Sequence, residues 1–368
     1  MKRALAFLKR ETVLTVAWVL ALVSMVLVPP DSGYRDYIDF DTLMLLFSLM
    51  AVMAGLQNLG LFRRMGEGLL ARTATTRQLE GALIFLPFFT SMAVNNDVSL
   101  ITFVPFALEV LTLAGREERL IPVVVMQTIA ANLGSMTTPI GNPQNLYLYS
   151  RYGLGMGDFL SATLPLWLLS LLAVLLLSLR LPKARVEVFL GEAPCVDKKG
   201  LGLYLALFLL CLLAVLRLLA WPWMLGILVL VLLVLDRRRL RKADFLLLLT
   251  FVCFFVFSGN LARIGAVEAL LRRLLAGREL LTAALTSQVI SNVPAALLLS
   301  GFTEAGRELL LGVNIGGLGT PVASLASLIS LKLYAHSEHT SSGKFLGLFS
   351  LVNFSLLALL LGLYQFVL

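Results

Sequence analysis

Charged side chains are scarce in this chain of 368 residues: only 14% are Asp, Glu, Lys or Arg, whereas 59% are hydrophobic. Soluble domains carry about 25% charged residues, so the composition excludes an ordinary soluble domain. The apolar runs are long and rich in leucine, which favours spanning helices over the short alternating strands of an outer-membrane barrel. We therefore expect an all-α polytopic membrane protein.

Cysteine and histidine are also rare, with three and two residues respectively. Cys195, Cys211 and Cys253 show no metal-ligand spacing, and the last two lie in apolar runs where packing is their expected role. We expect no cofactor, and a sodium ion is the only metal considered. The sequence also lacks an ATP-binding loop and a pair of spaced bases in its apolar runs, so an enzyme is not expected.

Two stretches interrupt apolar runs with the same polar residues in the same order. ANLGSMTTPIGNPQN covers 131–145, and GVNIGGLGTPVASLAS covers 312–327. Proline removes a backbone donor and glycine favours unwound backbone, so each stretch predicts a helix broken near mid-membrane. The broken helices should cover about 120–150 and about 308–334. The matching pairs are Asn132/Asn314, Gly134/Gly316, Thr138/Thr320 and Pro139/Pro321.

Two other apolar runs, at about 79–114 and about 280–301, are interrupted by short polar tips. The first tip reads AVNNDVS, and the second contains Ser291, Asn292 and Pro294. Each arm of the first run has about 15 residues, or roughly 22 Å of helix, which is short for a bilayer core of about 30 Å. We predict two re-entrant hairpins, with two short tilted spans as the alternative for the first.

The order of span, amphipathic linker, hairpin and broken helix occurs twice. This order predicts inverted repeats at 1–180 and 201–368, a cytoplasmic linker at 181–200, and about nine transmembrane helices. The basic loops at 63–77, 180–200 and 236–244 place the N-terminus in the cytoplasm by the positive-inside rule. The net charge of +8 lies in such loops, so nucleic acid is not an expected partner.

The polar residues of tips and breaks are the candidate site, because an amide inside a membrane is costly unless it is bonded. Asp97 is the only acid among them, and an ionisable group at that depth suggests coupling. The candidates for substrate binding are Asn95, Asn96, Ser291, Asn292, Thr138, Asn142, Asn145 and Thr320. The candidates for ion or proton coupling are Asp97, Asn132, Ser135, Thr137 and Asn314.

Simpler roles exist for these residues. Asn96 and Asn292 can cap the helix after each tip, and Asp97 can do the same. Serine and threonine can return hydrogen bonds to their own helix. Since Ser324 and Ser327 stand where the first half has Asn142 and Asn145, we expect the first half to contribute more polarity to the site.

The motifs NDVSL (96–100), TPIGNPQN (138–145) and SQVISNVP (287–294) resemble those of the ion transporter superfamily, which includes citrate-transporter-like and arsenite-permease-like branches. The chain is most similar to the YbiR-like inner-membrane transporters among them. The resemblance covers nearly the whole chain. It implies a scaffold domain, a transport domain, elevator-type alternating access and often a homodimer in the bacterial inner membrane.

The tips differ from those of the sodium-coupled dicarboxylate members, which have Ser-Asn-Thr at both tips. The Asn-Asp tip at 96–97 is more like the arsenite and silicic-acid efflux members, which are proton-linked. We therefore predict secondary active transport of a small anion or oxyacid, driven by a proton or sodium gradient. The alternatives are a sodium/proton antiporter, an arsenite or silicic-acid-type efflux permease, and a passive channel.

Overall fold

The computed structural model describes residues 11–70, 73–179, 183–184, 197–240, 243–337 and 341–367. These residues form α-helices joined by short loops, which confirms the all-α prediction. The helices of the first half are α1 (Thr12–Leu27), α2 (Tyr34–Tyr37), α3 (Phe40–Asn58), α4 (Leu61–Leu70), α5 (Thr76–Val94), α6 (Asn96–Leu113), α7 (Leu120–Ser135), α8 (Pro143–Arg151) and α9 (Met156–Leu179). The predicted linker at 181–200 lies largely outside the described residues.

The second half follows the same plan with one additional opening helix. Its helices are α10 (Lys198–Val215), α11 (Trp221–Leu235), α12 (Arg237–Leu240), α13 (Phe245–Ala262), α14 (Gly265–Leu275), α15 (Glu279–Ile290), α16 (Asn292–Leu299), α17 (Gly306–Ile315), α18 (Leu325–Ala335) and α19 (Ser342–Val367). The amphipathic linkers are α4 and α14. The sequence predicts the first of them over 63–77, whereas in the structure the hairpin helix α5 already begins at Thr76.

Six helices in the described ranges are long and apolar enough to cross a membrane, namely α3, α6, α9, α10, α13 and α19. Five of these, all except the hairpin arm α6, are predicted spans. The shorter apolar helices α1 and α11 and the two broken helices α7–α8 and α17–α18 bring the total to the predicted nine. Large apolar side chains such as Trp18, Val26, Trp223 and Val234 are exposed on the outside of the bundle. A surface of this kind suits lipid rather than water, so the protein is a polytopic membrane protein.

The two halves interlock through their opening helices. α1 of the first half packs along α13 of the second, and α10 of the second packs along α3 of the first. The α3–α10 contact requires glycine at position 55, because a Cβ there would lie 2.0 Å from the ring of Tyr204. Each half therefore supplies one helix to cover the other.

The acidic loop after α1 is attached to the end of α13. Arg263 donates a hydrogen bond to the Asp31 carboxylate at 2.7 Å, and this bond lowers the pKa of Asp31 below its usual value. Asn260 Nδ2 donates to Ser24 Oγ at 3.0 Å and to the Tyr34 hydroxyl at 2.8 Å. These contacts bring the acidic loop after α1 and the start of the linker α14 to the same end of the molecule.

The first hairpin is a pair of antiparallel helices, α5 and α6, joined by Asn95 alone. Gln127 Nε2 donates to the carbonyl oxygens of both Leu83 and Phe103, which shows that the two arms run side by side. The predicted arm length was wrong, since α5 has 19 residues and α6 has 18. α5 begins before the apolar run, where Thr75 caps it, and both arms continue into the polar tip.

The second hairpin, α15 and α16, is joined by Ser291, and its second arm has only 8 residues. The predicted breaks are present in both broken helices, between α7 and α8 and between α17 and α18. Each hairpin packs against the helix before the break, α5 on α7 and α15 on α17. The depth of the two tips in a bilayer stays a prediction.

Glycine permits this close packing of hairpin on broken helix. A Cβ added at Gly134 would lie 1.9 Å from the carbonyl oxygen of Phe88. Gly134→Ala should therefore force α5 away from α7, at a cost of about 1–3 kcal/mol typical of overpacking. The measurement is the melting temperature of the purified protein in detergent, which should fall.

Gly81→Ala is the matched control in the same hairpin, because nothing lies within 4 Å of a Cβ at that helical position. Alanine has a higher helix propensity than glycine, so this variant should melt no lower than the parent protein. Equal melting temperatures for Gly134→Ala and Gly81→Ala would contradict the close packing.

Candidate functional site

Asn314, at the end of α17, is held by the other half of the chain. Its Nδ2 donates to Asn145 Oδ1 at 2.7 Å, and its Oδ1 accepts from Asn142 Nδ2 at 3.2 Å. All three side chains are buried. Asn142 is the N-cap of α8, where its Oδ1 also accepts from the backbone N–H of Asn145. The first turn of α8 thus binds the helix that precedes the second break.

Asn132, the equivalent residue of α7, is held in the same way by the second half. Its Oδ1 accepts from Ser324 Oγ at 3.1 Å, and its Nδ2 donates to Ser327 Oγ at 3.3 Å. Ser324 and Ser327 begin α18, at the positions that match Asn142 and Asn145. We expected the first half to contribute more polarity, and that expectation did not foresee this role. Ser324 and Ser327 bond Asn132 as Asn142 and Asn145 bond Asn314.

The unwound backbone of the first break is satisfied by one side chain. Asn145 Nδ2 lies at 3.1–3.4 Å from three carbonyl oxygens, those of Ser135, Met136 and Thr138. Since Asn145 Oδ1 is occupied by Asn314, the whole amide is engaged within the protein. Asn145 therefore holds the break in shape in this conformation.

Gln288 of α15 does the same for the second break. Its Nε2 donates to the carbonyl oxygens of Gly316 and Leu318, both at 2.9 Å, and its Oε1 accepts from Thr320 N at 2.9 Å. Gln288 was not among the predicted site residues, although it lies in the SQVISNVP motif. The available signal was a polar residue in the otherwise apolar arm of the hairpin. The second break needs it because Ser327 stands where the first break has the amide of Asn145.

Both Thr-Pro motifs attach a break to its hairpin. Thr138 Oγ1 donates to the carbonyl oxygen of Met92, and Thr320 Oγ1 donates to that of Gln288 at 3.0 Å. Each accepting residue lies three positions before its hairpin tip. These two threonines therefore bond a neighbouring element rather than their own helix. Thr137 Oγ1 instead donates to Gly134 O at 3.1 Å, the local bond that was the simpler alternative.

The tip residues Asn95 and Ser291 both have positive φ angles, of 68° and 76°. Asn95 caps α6 by accepting a hydrogen bond from Val98 N at 2.9 Å. The simpler role considered for Asn96, as this cap, is not the one it has, because its side chain donates to Asn132 instead. Ser291 Oγ donates to Ala323 O at 3.4 Å, so the second tip contacts the second break.

Asn96 of the first hairpin bonds Asn132, and Asn292 of the second hairpin lies beside Gly317, which Asn132 also bonds. Asn96 Nδ2 donates to Asn132 Oδ1 at 3.1 Å. A Cβ at Gly317 would lie 3.0 Å from Asn292 Nδ2, and the Gly317 carbonyl oxygen accepts from Asn132 Nδ2 at 3.4 Å. The two tips and both breaks thus meet in one buried polar junction.

One atom in this junction lacks a partner. Asn96 Oδ1 is buried and accepts no hydrogen bond from the described residues. A buried acceptor without a donor costs about 1–3 kcal/mol. Next to the junction, Ser135 Oγ donates to Asn132 O at 3.0 Å and accepts from Asn142 Nδ2 at 3.2 Å. The orphan oxygen of Asn96 is thus free to accept a hydrogen bond from a water molecule or a ligand.

Two cavities lie beside the first tip. The central cavity, of about 30 Å³, is lined by Asn95 and Asn142 and otherwise by apolar residues. This volume holds roughly two or three water molecules. The Asp97 cavity, of about 210 Å³, is lined by Asp97, Glu11, Asp244, Lys332, Thr250 and apolar residues. Asp97 is therefore separated from the polar junction in this conformation. Within the described part of the chain, its carboxylate accepts no hydrogen bond.

Paired broken helices around a buried polar junction are the architecture of secondary transporters, and the molecule is a membrane transporter. The family model of the citrate transporters matches residues 4–305. The chain belongs to this citrate transporter family.

Similar proteins are transporters or membrane proteins. An uncharacterized transporter of Methanocaldococcus jannaschii is 33% identical over 298 residues, which cover 80% of this chain and 81% of the relative. The inner membrane protein YbiR of Escherichia coli is 32% identical over 308 residues, 80% of each chain. The silicon efflux transporter LSI3 of Oryza sativa subsp. japonica is 34% identical over 135 residues, 37% of this chain and 27% of the relative.

The bonds across the halves predict a stability effect. Asn314→Ala should leave Asn145 Oδ1 buried without its donor, a loss of about 1–3 kcal/mol. The melting temperature in detergent should therefore fall. Asn353→Ala is the control, because Asn353 is equally buried yet donates only to Phe349 O of its own helix. Destabilisation no larger than that of Asn353→Ala would contradict the role of Asn314.

Proposed function

We propose that this protein is a secondary active transporter of a small oxyacid or its anion, driven by a proton or sodium gradient. The observation that carries the proposal is Asn96 Oδ1, a buried acceptor without a donor where two hairpins and two breaks meet. A protonated oxyacid carries the O–H donor that this oxygen lacks, together with acceptor oxygens for amide N–H groups.

The charge of the junction supports the same substrate class. Its members are amides, hydroxyls and backbone groups, so a large multiply charged anion would find no cation to pair with. Helices α6, α8 and α18 begin at the junction, and helix N-termini favour oxygen-rich or anionic groups. The partial similarity to a silicon efflux transporter agrees with an oxyacid.

Asp97 is the proposed coupling residue. It follows Asn96 directly, so a proton or cation at its carboxylate lies one residue from the junction. Its cavity is also lined by Lys332 and Asp244, which are exposed. Ions from that side of the membrane therefore reach Asp97 without entering the junction.

The mechanism we propose is elevator-type alternating access in a homodimer. The hairpins and broken helices are bonded to each other and form the moving part, with α4 and α14 as arms to the scaffold. We place the protein in a bacterial inner membrane with its N-terminus and basic loops in the cytoplasm. The membrane location of the relative YbiR agrees with this assignment.

A sodium/proton antiporter is the second candidate. The Asn96 oxygen and the surrounding hydroxyls are hard ligands that also suit a small cation. In proteoliposomes that contain a pH-sensitive dye, sodium alone would then drive proton movement without any oxyacid.

Asp97→Asn should abolish gradient-driven flux, because an amide cannot exchange a proton at working pH. The measurement is uptake of silicic acid, arsenite or phosphate into proteoliposomes under a proton or sodium gradient. Glu117→Gln, an exposed acid at the other end of the hairpin, should leave uptake unchanged. Undiminished uptake with the parental pH dependence in Asp97→Asn would refute the coupling role.

Asn96→Ala should remove the thermal stabilisation that a ligand gives to the purified protein. Ligand that binds only the folded state raises the melting temperature by mass action. A screen of oxyacids, carboxylates, sodium and pH identifies the ligand first, and the shift it produces is then compared between variants. Asn353→Ala should keep the parental shift. A full ligand-induced shift in Asn96→Ala would rule out binding at this oxygen.

A further inference from the structure

Three cavities adjoin one another, and each neighbouring pair shares one leucine in its wall. Leu247 of α13 lines both the central cavity and the Asp97 cavity. Leu146 of α8 lines both the central cavity and the Arg217 cavity, a third cavity of about 320 Å³ with Arg217, Asp41 and Trp221 in its wall. The small central cavity therefore shares one apolar wall residue with a larger cavity on each side.

The two larger cavities open at opposite ends of the molecule. The Asp97 cavity reaches Glu11 before α1 and Asp244 before α13, whereas the Arg217 cavity reaches Asp41 and Trp221. α1 runs from beside Glu11 to the loop before α3, whose first turn contains Asp41, and α11 runs from Trp221 towards Asp244. Both are apolar helices, of 16 and 15 residues. A path through the three cavities would therefore run from one membrane face to the other.

The internal repeat relates the two larger cavities to each other. Leu328 and Lys332 of α18 line the Asp97 cavity at the positions that match Leu146 and Ser150 of α8, which line the Arg217 cavity. With Asn58 near the end of α3 aligned to Asn260 near the end of α13, Leu247 likewise matches Leu45. Equivalent surfaces of the two halves thus form two vestibules, one for each end of the molecule.

We propose that Leu247 and Leu146 are the two gates of the transport path, a proposal that rests on the proposed transport function. An apolar constriction excludes water and ions unless its side chain moves aside. The central cavity holds too little volume for a solute larger than a few water molecules. Movement of Leu247 joins it to the Asp97 vestibule, and movement of Leu146 joins it to the Arg217 vestibule.

The gates are tested with a cysteine in the central cavity, which requires no knowledge of the substrate. Met50 lies on α3 and lines only this cavity, so Met50→Cys is the reporter. The background replaces Cys195, Cys211 and Cys253 by alanine. A membrane-impermeant thiol reagent is applied to right-side-out and inside-out vesicles, and the rate of labelling is measured from each side.

Leu247→Ala should raise the labelling rate severalfold from the side of the Asp97 vestibule and leave it unchanged from the other side. Leu146→Ala should do the reverse. Leu248→Ala and Leu148→Ala are matched controls on the same helices, because neither residue lines any of the three cavities. Neither control should change labelling from either side.

The double variant provides an independent readout. Proteoliposomes with Leu146→Ala and Leu247→Ala together should leak protons faster than the sum of the single variants, because both gates are then open. The gate proposal would be contradicted if a single variant were labelled at equal rates from both sides. It would also be contradicted if the control variants changed the labelling rate as much as Leu146→Ala and Leu247→Ala do. Side-specific labelling in a protein that moves no oxyacid would refute the proposed substrate and leave the gates in place.

Discussion

The structure depends on the reciprocal hydrogen bonds of Asn132 and Asn314. Each asparagine ends the helix before a break, and each is held by the first turn of the helix after the break in the other half. Unsatisfied backbone groups in an apolar environment cost several kcal/mol, so two unwound segments are tolerated only where they face bonded partners. The exchange supplies those partners and fixes the position of each break relative to the other.

This exchange also decides which parts of the molecule can move separately. Thr138 and Gln288 attach each break to its own hairpin, so the hairpins and the broken helices form one bonded unit. The contacts of this unit with α3 and α13 are mainly apolar around the central cavity, where Leu46, Leu49 and Leu247 line the wall. They include two hydrogen bonds, from Gln57 Nε2 to Thr102 Oγ1 and from Ser258 Oγ to the carbonyl oxygen of Leu298. Apolar contacts lack direction, and a sliding surface built from them loses little when its register changes. The bonded unit and the apolar boundary together suit alternating access.

The breaks and the tips could be predicted from the sequence because their signals are local. Proline and glycine disrupt a helix wherever they stand, and the matching Asn, Gly and Thr-Pro positions reveal the repeat. The partners across the halves could not be predicted in this way. Gln288 lies in an otherwise apolar helix arm, and Ser324 and Ser327 look like weaker versions of Asn142 and Asn145. Their roles follow from which surfaces pack together, and residue spacing contains no information about that.

The two halves share a backbone plan while their charges differ, and the difference gives the molecule a direction. Val293 stands where the first tip has Asp97, and Ser150 stands where α18 has Lys332. The ionisable groups beside a tip are therefore confined to the vestibule at one end, whereas the other vestibule carries Arg217 and Asp41 near its opening. A symmetric path has no means of treating its two ends differently. In the proposed transport cycle, a tip acid on a single side would let a gradient of protons or cations act on one conformation more than on the other, which is the requirement for coupling.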